Sequence, residues 1–335
     1  MNFEYLKPTT LEEAFQALKQ YEHAKPYAGG TDLLWQIRGE AVEVEYLVDL
    51  KAIPGMGYIR DTGDRVEIGP LATLREIENS SLLQKEFPAL TEAARTVASQ
   101  KLRNKATLAG NLCQRVKCPY FNQSHINLYM RESLAPCFKR KGKVCHAVVY
   151  GDDVLHTITG KSYCKAPVPS DTAIALSALG AVIEVSTENG VREVPAHSFY
   201  RGDGEANIKP NEIVTKIVLP RKAGHGSAFR CYKPGPGCFA VVSAVAVLTL
   251  DEDGKTCGGL ELCLGGVAQK PYPAAELVEP LLHRKLTGEG ISQVTQALFQ
   301  DVEITNDDVL FKVAKARALC REALMQAWSR AQGGK

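Results

Sequence analysis

The chain lacks the marks of export and of membrane residence. Its first residues, Met1-Asn2-Phe3-Glu4-Tyr5-Leu6-Lys7-Pro8, contain no basic stretch followed by an apolar run, and no uninterrupted apolar segment reaches spanning length. A cytoplasmic protein with no membrane association is expected. Also missing are the six-residue glycine fingerprint of dinucleotide-binding βαβ units and the lysine of a phosphate loop, which argues against a Rossmann domain and an NTPase. There is no strong net charge: 40 Lys and Arg against 38 Asp and Glu leave +2, which points to no class of partner. An apolar fraction of 45% and a charged fraction of 23% are those of a soluble globular protein and exclude disordered and fibrous classes. A length of 335 residues exceeds one small core and calls for two or three domains.

Cysteine, by contrast, is plentiful. Ten cysteines in a reducing compartment do not form a disulfide framework, so a cluster of them points to metal binding or redox work. Half lie within residues 107–164: Cys113, Cys118, Cys137, Cys145 and Cys164. The surrounding residues 101–150 carry ten Lys or Arg and a single acid, Glu132. Lys139-Arg140-Lys141-Gly142-Lys143 could form a phosphate patch, but no aromatic stacking platform or binding motif accompanies it, so no nucleic acid is expected. A docking face for an acidic electron carrier is the expected use of that charge. His125, His146 and His156 are given no role, and Cys231, Cys238, Cys257, Cys263 and Cys320 read as small apolar fillers. Asn122-Gln123-Ser124 matches a glycosylation acceptor by chance.

Along the chain, Thr10 and Glu13 form a capping box before Leu11, Ala14, Phe15 and Leu18 at helical spacing. Lys25-Pro26-Tyr27 then enters a tight turn at Ala28-Gly29-Gly30-Thr31-Asp32-Leu33-Leu34, and Tyr46 to Leu50 reads as a buried strand, completing a β-α-β unit. Arg65 to Gly69 alternates as a strand, Thr73 and Glu76 form a second capping box, and Pro88 heads a helix with Leu90, Ala93, Ala94, Val97 and Ala98 on one face. From Cys113 to about Pro169 periodicity fades, and something other than an apolar core must hold so long a loop together. A helix over Thr172 to Leu179 ended by Gly180, and a hairpin turning at Asn189-Gly190, follow. Gly224 to Gly237, rich in Gly and Pro, reads as a domain boundary. Beyond it Ala240 to Leu250 and Gly259 to Val267 flank a turn at Asp251-Glu252-Asp253-Gly254, with helical segments running to about Ala331.

Two glycine turns carry the chemistry. Without a Cβ the backbone comes close to a bulky anion, and its N–H groups can point at phosphate oxygens. Ala28 to Asp32 and Thr107-Leu108-Ala109-Gly110-Asn111 each add a hydroxyl and a short polar side chain, so the pair could grip a pyrophosphate from both sides. These strings, with Arg103 to Leu112 and Pro169-Ser170-Asp171, resemble the FAD-binding subunits of molybdenum hydroxylases over nearly the whole chain. The resemblance implies an α+β fold: a two-part FAD-binding domain of the PCMH (vanillyl-alcohol-oxidase-like) type, then a smaller C-terminal α+β domain of the CO dehydrogenase flavoprotein type. The implied division is 1–55 and 56–222 for the FAD-binding subdomains, the second with an insert at about 114–168, and 223–335 for the C-terminal domain. The implied FAD-binding set is Tyr27, Ala28, Gly29, Gly30, Thr31, Asp32, Leu33, Leu34, Thr107, Leu108, Ala109, Gly110, Asn111, Gln114, Asp171 and Lys233. Asp171 would meet a ribose or nearby hydroxyl and Lys233 a polar edge of the flavin. Where the family pattern has two glycines, this chain has Ala109-Gly110.

Within the insert, Cys118, Cys137, Cys145 and Cys164 resemble the four cysteines that bind an additional four-iron four-sulfur (4Fe-4S) cluster in flavin subunits of 4-hydroxybenzoyl-CoA reductases. Four thiolates are the ligand set such a cluster needs, and dense Lys and Arg would offset its charge. A structural zinc site and scattered free thiols stay open as alternatives, although no close Cys-x2-Cys pair is present. Cys113, beside the glycine turn, is left out of the ligand set. The resemblance implies an oxidoreductase subunit without catalytic residues of its own. Electrons from a ferredoxin-like carrier would pass through 4Fe-4S and FAD to 2Fe-2S clusters on a small subunit and Mo-molybdopterin on a large one, in a dimer of heterotrimers of anaerobic aromatic degradation. The alternatives are the flavin subunit of another molybdenum hydroxylase acting on a purine, aldehyde or carbon monoxide, and a zinc-stabilised, non-catalytic binding module.

Overall fold

The computed structural model describes residues 3–122, 135–149, 156–159, 163–222 and 224–334. Gln123, Ser124, His125 and Glu132, named above, lie outside them. Three sheets organise the chain.

The first sheet is parallel: β3 (Tyr46–Asp49) runs between β1 (Glu4–Leu6) and β2 (Ala24–Tyr27). Helix Leu11–Gln20 covers it with Ala14, Phe15 and Leu18 turned inward. The expected capping box there is half formed: Thr10 Oγ1 accepts from Glu13 N–H at 3.2 Å, but the Glu13 carboxylate takes the N–H and hydroxyl of Thr9 instead. At Thr73 both halves of the box are present.

The second sheet, in the order β4-β5-β8-β6-β7, is antiparallel and comprises Ile59–Asp61, Arg65–Ile68, Ile213–Pro220, Val182–Thr187 and Gly190–Pro195. Val66, Ile68, Ile183, Val185, Ile217 and Leu219 alternate along its strands to form one apolar face beneath the helices that carry both the second glycine turn and Asp171. The helix headed by Pro88 is shorter than its apolar spacing predicts and stops at Thr96. Val97 N–H bonds Ala94 O and Ala98 takes a left-handed φ of 47°; Lys233 and Arg103 donate to the carbonyls of Thr96 and Val97 and cap the freed end.

The third sheet runs β12-β11-β10-β9: Tyr272–Pro273, Cys257–Gly265, Val242–Leu250 and His225–Tyr232. Both faces are buried. Phe229, Val245, Val247 and Cys263 join the core of the second sheet, whereas Ala228, Ala244, Ala246 and Leu248 face helix Asp307–Ala331. The stretch Gly224–Gly237 is therefore not a plain linker: it contains β9, the strand on which Lys233 follows. Helix Asp171–Ala178, apolar all round, is buried between the second and third sheets, which explains why it shows no polar face.

Candidate functional site

Gly29 and Gly30 sit immediately after β2, where the first turn meets the chain leading to the second. A Cβ on Gly29 would stand 1.8 Å from the carbonyl oxygen of Lys105, and Gly30 has a left-handed φ of 71° under the Tyr27 ring. The first turn thus packs against the backbone just before the second. The N–H groups of Gly29, Gly30, Thr31 and Asp32 have no partner among the described residues, so this turn keeps four donors for an anion.

A side chain not foreseen from the sequence holds the turn. The parallel register pairs Tyr27 with Asp49, so Lys51 lands beside it: its ammonium bonds Ala28 O at 2.9 Å, lies 4.0 Å from the centre of the Tyr27 ring and pairs with Asp49. Burial works to raise the Asp49 carboxyl, but Lys51 and the Tyr5 hydroxyl outweigh it and hold the group below the usual carboxylate range. Asp32 accepts from Arg115 N–H at 3.3 Å, from the Gln36 amide and from Lys117. Leu33 and Leu34 open the helix that follows, with Leu34 exposed.

The second turn differs from the expected nest. Thr107 caps helix Leu108–Leu112, and its amides are already spent: Leu108 N–H on Ala72 O at 2.9 Å, Ala109 on Pro70 O at 3.2 Å, Gly110 on Thr107 Oγ1 at 3.2 Å, and Asn111 on Thr107 O at 2.8 Å. What it offers is the Thr107 hydroxyl proton, the exposed Gly110 backbone and the Asn111 carboxamide, whose Oδ1 accepts from Ser170 and Thr172, both at 2.7 Å. Ala109 in place of a glycine is accommodated, since it lies in the helix with its methyl in the core.

Asp171 and Lys233, expected at separate parts of a flavin, pair with each other at 2.9 Å. Lys233 also donates to Thr96 O at 2.6 Å, and Asp171 accepts from the Thr96 hydroxyl at 3.3 Å. Burial, reinforced by Asp171, pushes the neighbouring Cys231 thiol up to about 11. Beside the second turn, buried Tyr200 donates its hydroxyl to Leu112 O at 2.8 Å. Burial and then Asp32 raise the Cys113 thiol to about 12. Gln114 is buried next to it. Tyr200 carries no motif that could have revealed it.

Cys118, Cys137, Cys145 and Cys164 line one cavity together with His146 and His156, and Cys113 is not part of it. Burial pushes Cys118 up to about 12 and raises Cys137 and Cys164. Opposing this, backbone N–H groups of Phe121 and Tyr120 face Cys118, those of Lys139 and Arg140 face Cys137, and that of Ala166 faces Cys164, each favouring the thiolate. Among the described residues no three His, Cys, Asp or Glu side chains are close enough to hold a single metal ion.

Three of the basic residues around this cavity are engaged within the protein. Lys139 is buried and pairs with Glu205 at 2.9 Å, Arg115 meets the same carboxylate at 3.2 Å, and Arg140 bonds the carbonyls of Phe121 and Glu40. Lys141 and Lys143 stay exposed. Glu205 lies far along the chain in a loop with no periodic signal, so its role was not visible beforehand.

The site brings together free amides on one glycine turn, a second turn whose amides are already bonded, and a cysteine-lined cavity a few residues on. Comparison with known proteins gives the family. Residues 1–222 match the family described as FAD binding domain in molybdopterin dehydrogenase, and residues 227–331 match the CO dehydrogenase flavoprotein C-terminal domain. The chain is 30% identical over 339 residues to the FAD-binding subunit of an aldehyde oxidoreductase of Escherichia coli (strain K12), covering 98% of this chain and 99% of that one. It is 25% identical over 333 residues to the carbon monoxide dehydrogenase medium chain of Hydrogenophaga pseudoflava, covering 98% of each. A solved structure of carbon monoxide dehydrogenase from that organism superposes with a TM-score of 0.76, at 25% identity and 98% coverage of both chains. The chain belongs to the FAD-binding subunits of the molybdenum hydroxylase family and is a subunit of an oxidoreductase. No helix among the described residues is long and apolar enough to cross a membrane.

Proposed function

We propose that this chain relays electrons between a 4Fe-4S cluster on Cys118, Cys137, Cys145 and Cys164 and an FAD laid across the two glycine turns. The observation that carries the cluster is that all four sulfurs, chosen from some sixty residues of loop, line one cavity with backbone amides directed at three of them. Free thiols scattered through a loop have no reason to converge. For the FAD, the open amides of Gly29 to Asp32 would receive the pyrophosphate, Thr107 and Asn111 its other side, and the Asp171–Lys233 pair a polar edge of the nucleotide. When bound, the flavin supplies the exchange between one-electron and two-electron transfer.

A division at residues 55 and 222 is supported by the strand order, in which β3 precedes residue 55 and β8 and β9 flank residue 222. A large molybdopterin subunit and a small 2Fe-2S subunit complete the enzyme, and ten cysteines, none in a disulfide among the described residues, suit a reducing, cytoplasmic setting. For the reaction on the partner subunit, likeness to the aldehyde oxidoreductase subunit favours aldehyde oxidation. The cysteine loop, through its resemblance to that of 4-hydroxybenzoyl-CoA reductases, supports a second reading: dehydroxylation of an aromatic CoA thioester with electrons from a ferredoxin-like carrier, in a dimer of heterotrimers.

Anaerobically purified protein is expected to carry FAD and about four irons. Cys137→Ser should lose the iron signal and keep the flavin. Iron-free protein would refute the cluster, and equal loss of iron in Cys113→Ser would refute the ligand set. In the whole complex, bleaching of the flavin band by an aldehyde supports aldehyde oxidation, whereas bleaching by reduced ferredoxin that an aromatic CoA thioester then reverses supports the reductase.

A further inference from the structure

Two buried polar side chains of the C-terminal half reach into the cysteine loop. The Gln269 amide donates to Cys164 O at 3.0 Å and to the Thr157 hydroxyl at 3.2 Å. Lys312, within helix Asp307–Ala331, has no solvent exposure and donates to the carbonyl of His156. A lysine this deep is costly and persists only where its ammonium is well bonded. His156 is itself buried, and its Nε2 lies 3.4 Å from the sulfur of Cys118.

The geometry points to His156 as the hydrogen-bond donor that tunes the redox centre at Cys118, and to Lys312 as the positioning residue that holds it there. The inference rests on the cluster reading above. An N–H aimed at a ligating sulfur draws charge from it and favours the more negative, reduced cluster, so it raises the midpoint potential. With sulfur as the acceptor, the ring proton belongs on Nε2. Lys312 acts through the backbone: by fixing the carbonyl of residue 156 from a helix of another sheet, it sets where the imidazole stands.

The test uses the intact complex, purified anaerobically, with iron and FAD counted and the cluster potential read by EPR-monitored titration. His156→Leu should keep full iron and FAD while its cluster becomes about tenfold harder to reduce at a fixed ambient potential, a shift of about 59 mV for one electron. His156→Gln, which retains an N–H, should recover most of that shift. Lys312→Met should move the potential the same way, and the double variant no further than His156→Leu alone; Lys312→Leu, which also lacks a donor, serves in its place if the methionine variant does not fold. An unmoved potential in His156→Leu, an equal shift in His156→Gln, or additive single variants would overturn the assignment. So would a comparable shift in Gln269→Leu, which loosens the same loop without touching the imidazole. A wild-type complex without any iron-sulfur signal would instead remove the cluster reading beneath it.

Discussion

Gly29 is the position at which the first turn packs against the backbone leading to the second. Because the atom facing its missing side chain is a backbone carbonyl, nothing flexible can yield, and Gly29→Ala must push the two apart. We expect a loss of about 1 to 3 kcal/mol of stability and protein that purifies with less flavin, read as the ratio of flavin to protein absorbance. Lys51→Met should weaken FAD retention with a smaller stability loss, because the ammonium is half exposed and screened; unchanged FAD affinity would show the lysine to be incidental. Residues recognisable by type, the glycines and cysteines, were legible in the sequence because their chemistry has few substitutes. Lys51, Tyr200 and Glu205 were not, since each gains its place only through a strand register or a loop path that no local pattern encodes.

In the last turn of helix Leu74–Asn79, the buried carboxylate of Glu78 meets Arg103 at 2.9 Å, Arg75 at 3.2 Å and Arg95 at 3.7 Å. Burial alone would raise this carboxyl, but the arginines prevail and its value falls below 4.5. A depressed value in the folded state means stabilisation that is fully present above pH 4.5 and fades as pH falls through the folded value. Glu78→Gln should therefore cost about 1 to 3 kcal/mol at neutral pH, and denaturant curves of the two proteins should converge in acid; a constant gap would mean the charge is not responsible. Elements with complete local signals formed: the capping box at Thr73, the alternating strands, and the hairpin, although its two turn residues are Glu188-Asn189, one earlier than read, with Gly190 opening the second strand. Their ends shifted where tertiary partners intervened, as at Thr96, whose carbonyl is claimed by Lys233 from a different sheet.

The protein as a whole is held together across its sheets by a small number of carboxylates. Glu92 receives Phe229 N–H at 2.8 Å, Arg330 at 2.6 Å and Arg230 at 3.4 Å, joining the helix beside the flavin-binding half to β9 and to the last helix. Glu92→Ala leaves a backbone donor and two guanidinium groups without it, and a loss of about 1 to 3 kcal/mol is expected, seen as a lower melting temperature with the FAD content of the folded fraction unchanged. The two-layered character of the third sheet was hidden from the sequence: β10 reads as one long apolar run, and only its neighbours show that alternate residues belong to different cores.

The unequal state of the two glycine turns bears on how the nucleotide is acquired. On the proposed placement of FAD, one half of its cradle is already bonded within the protein while the other keeps a row of open donors, so loading would need no refolding of the second turn. Hydrogen–deuterium exchange of the flavin-stripped protein should accordingly find Leu108 to Asn111 already slow and Gly29 to Asp32 fast, with only the latter slowed when the nucleotide is added back.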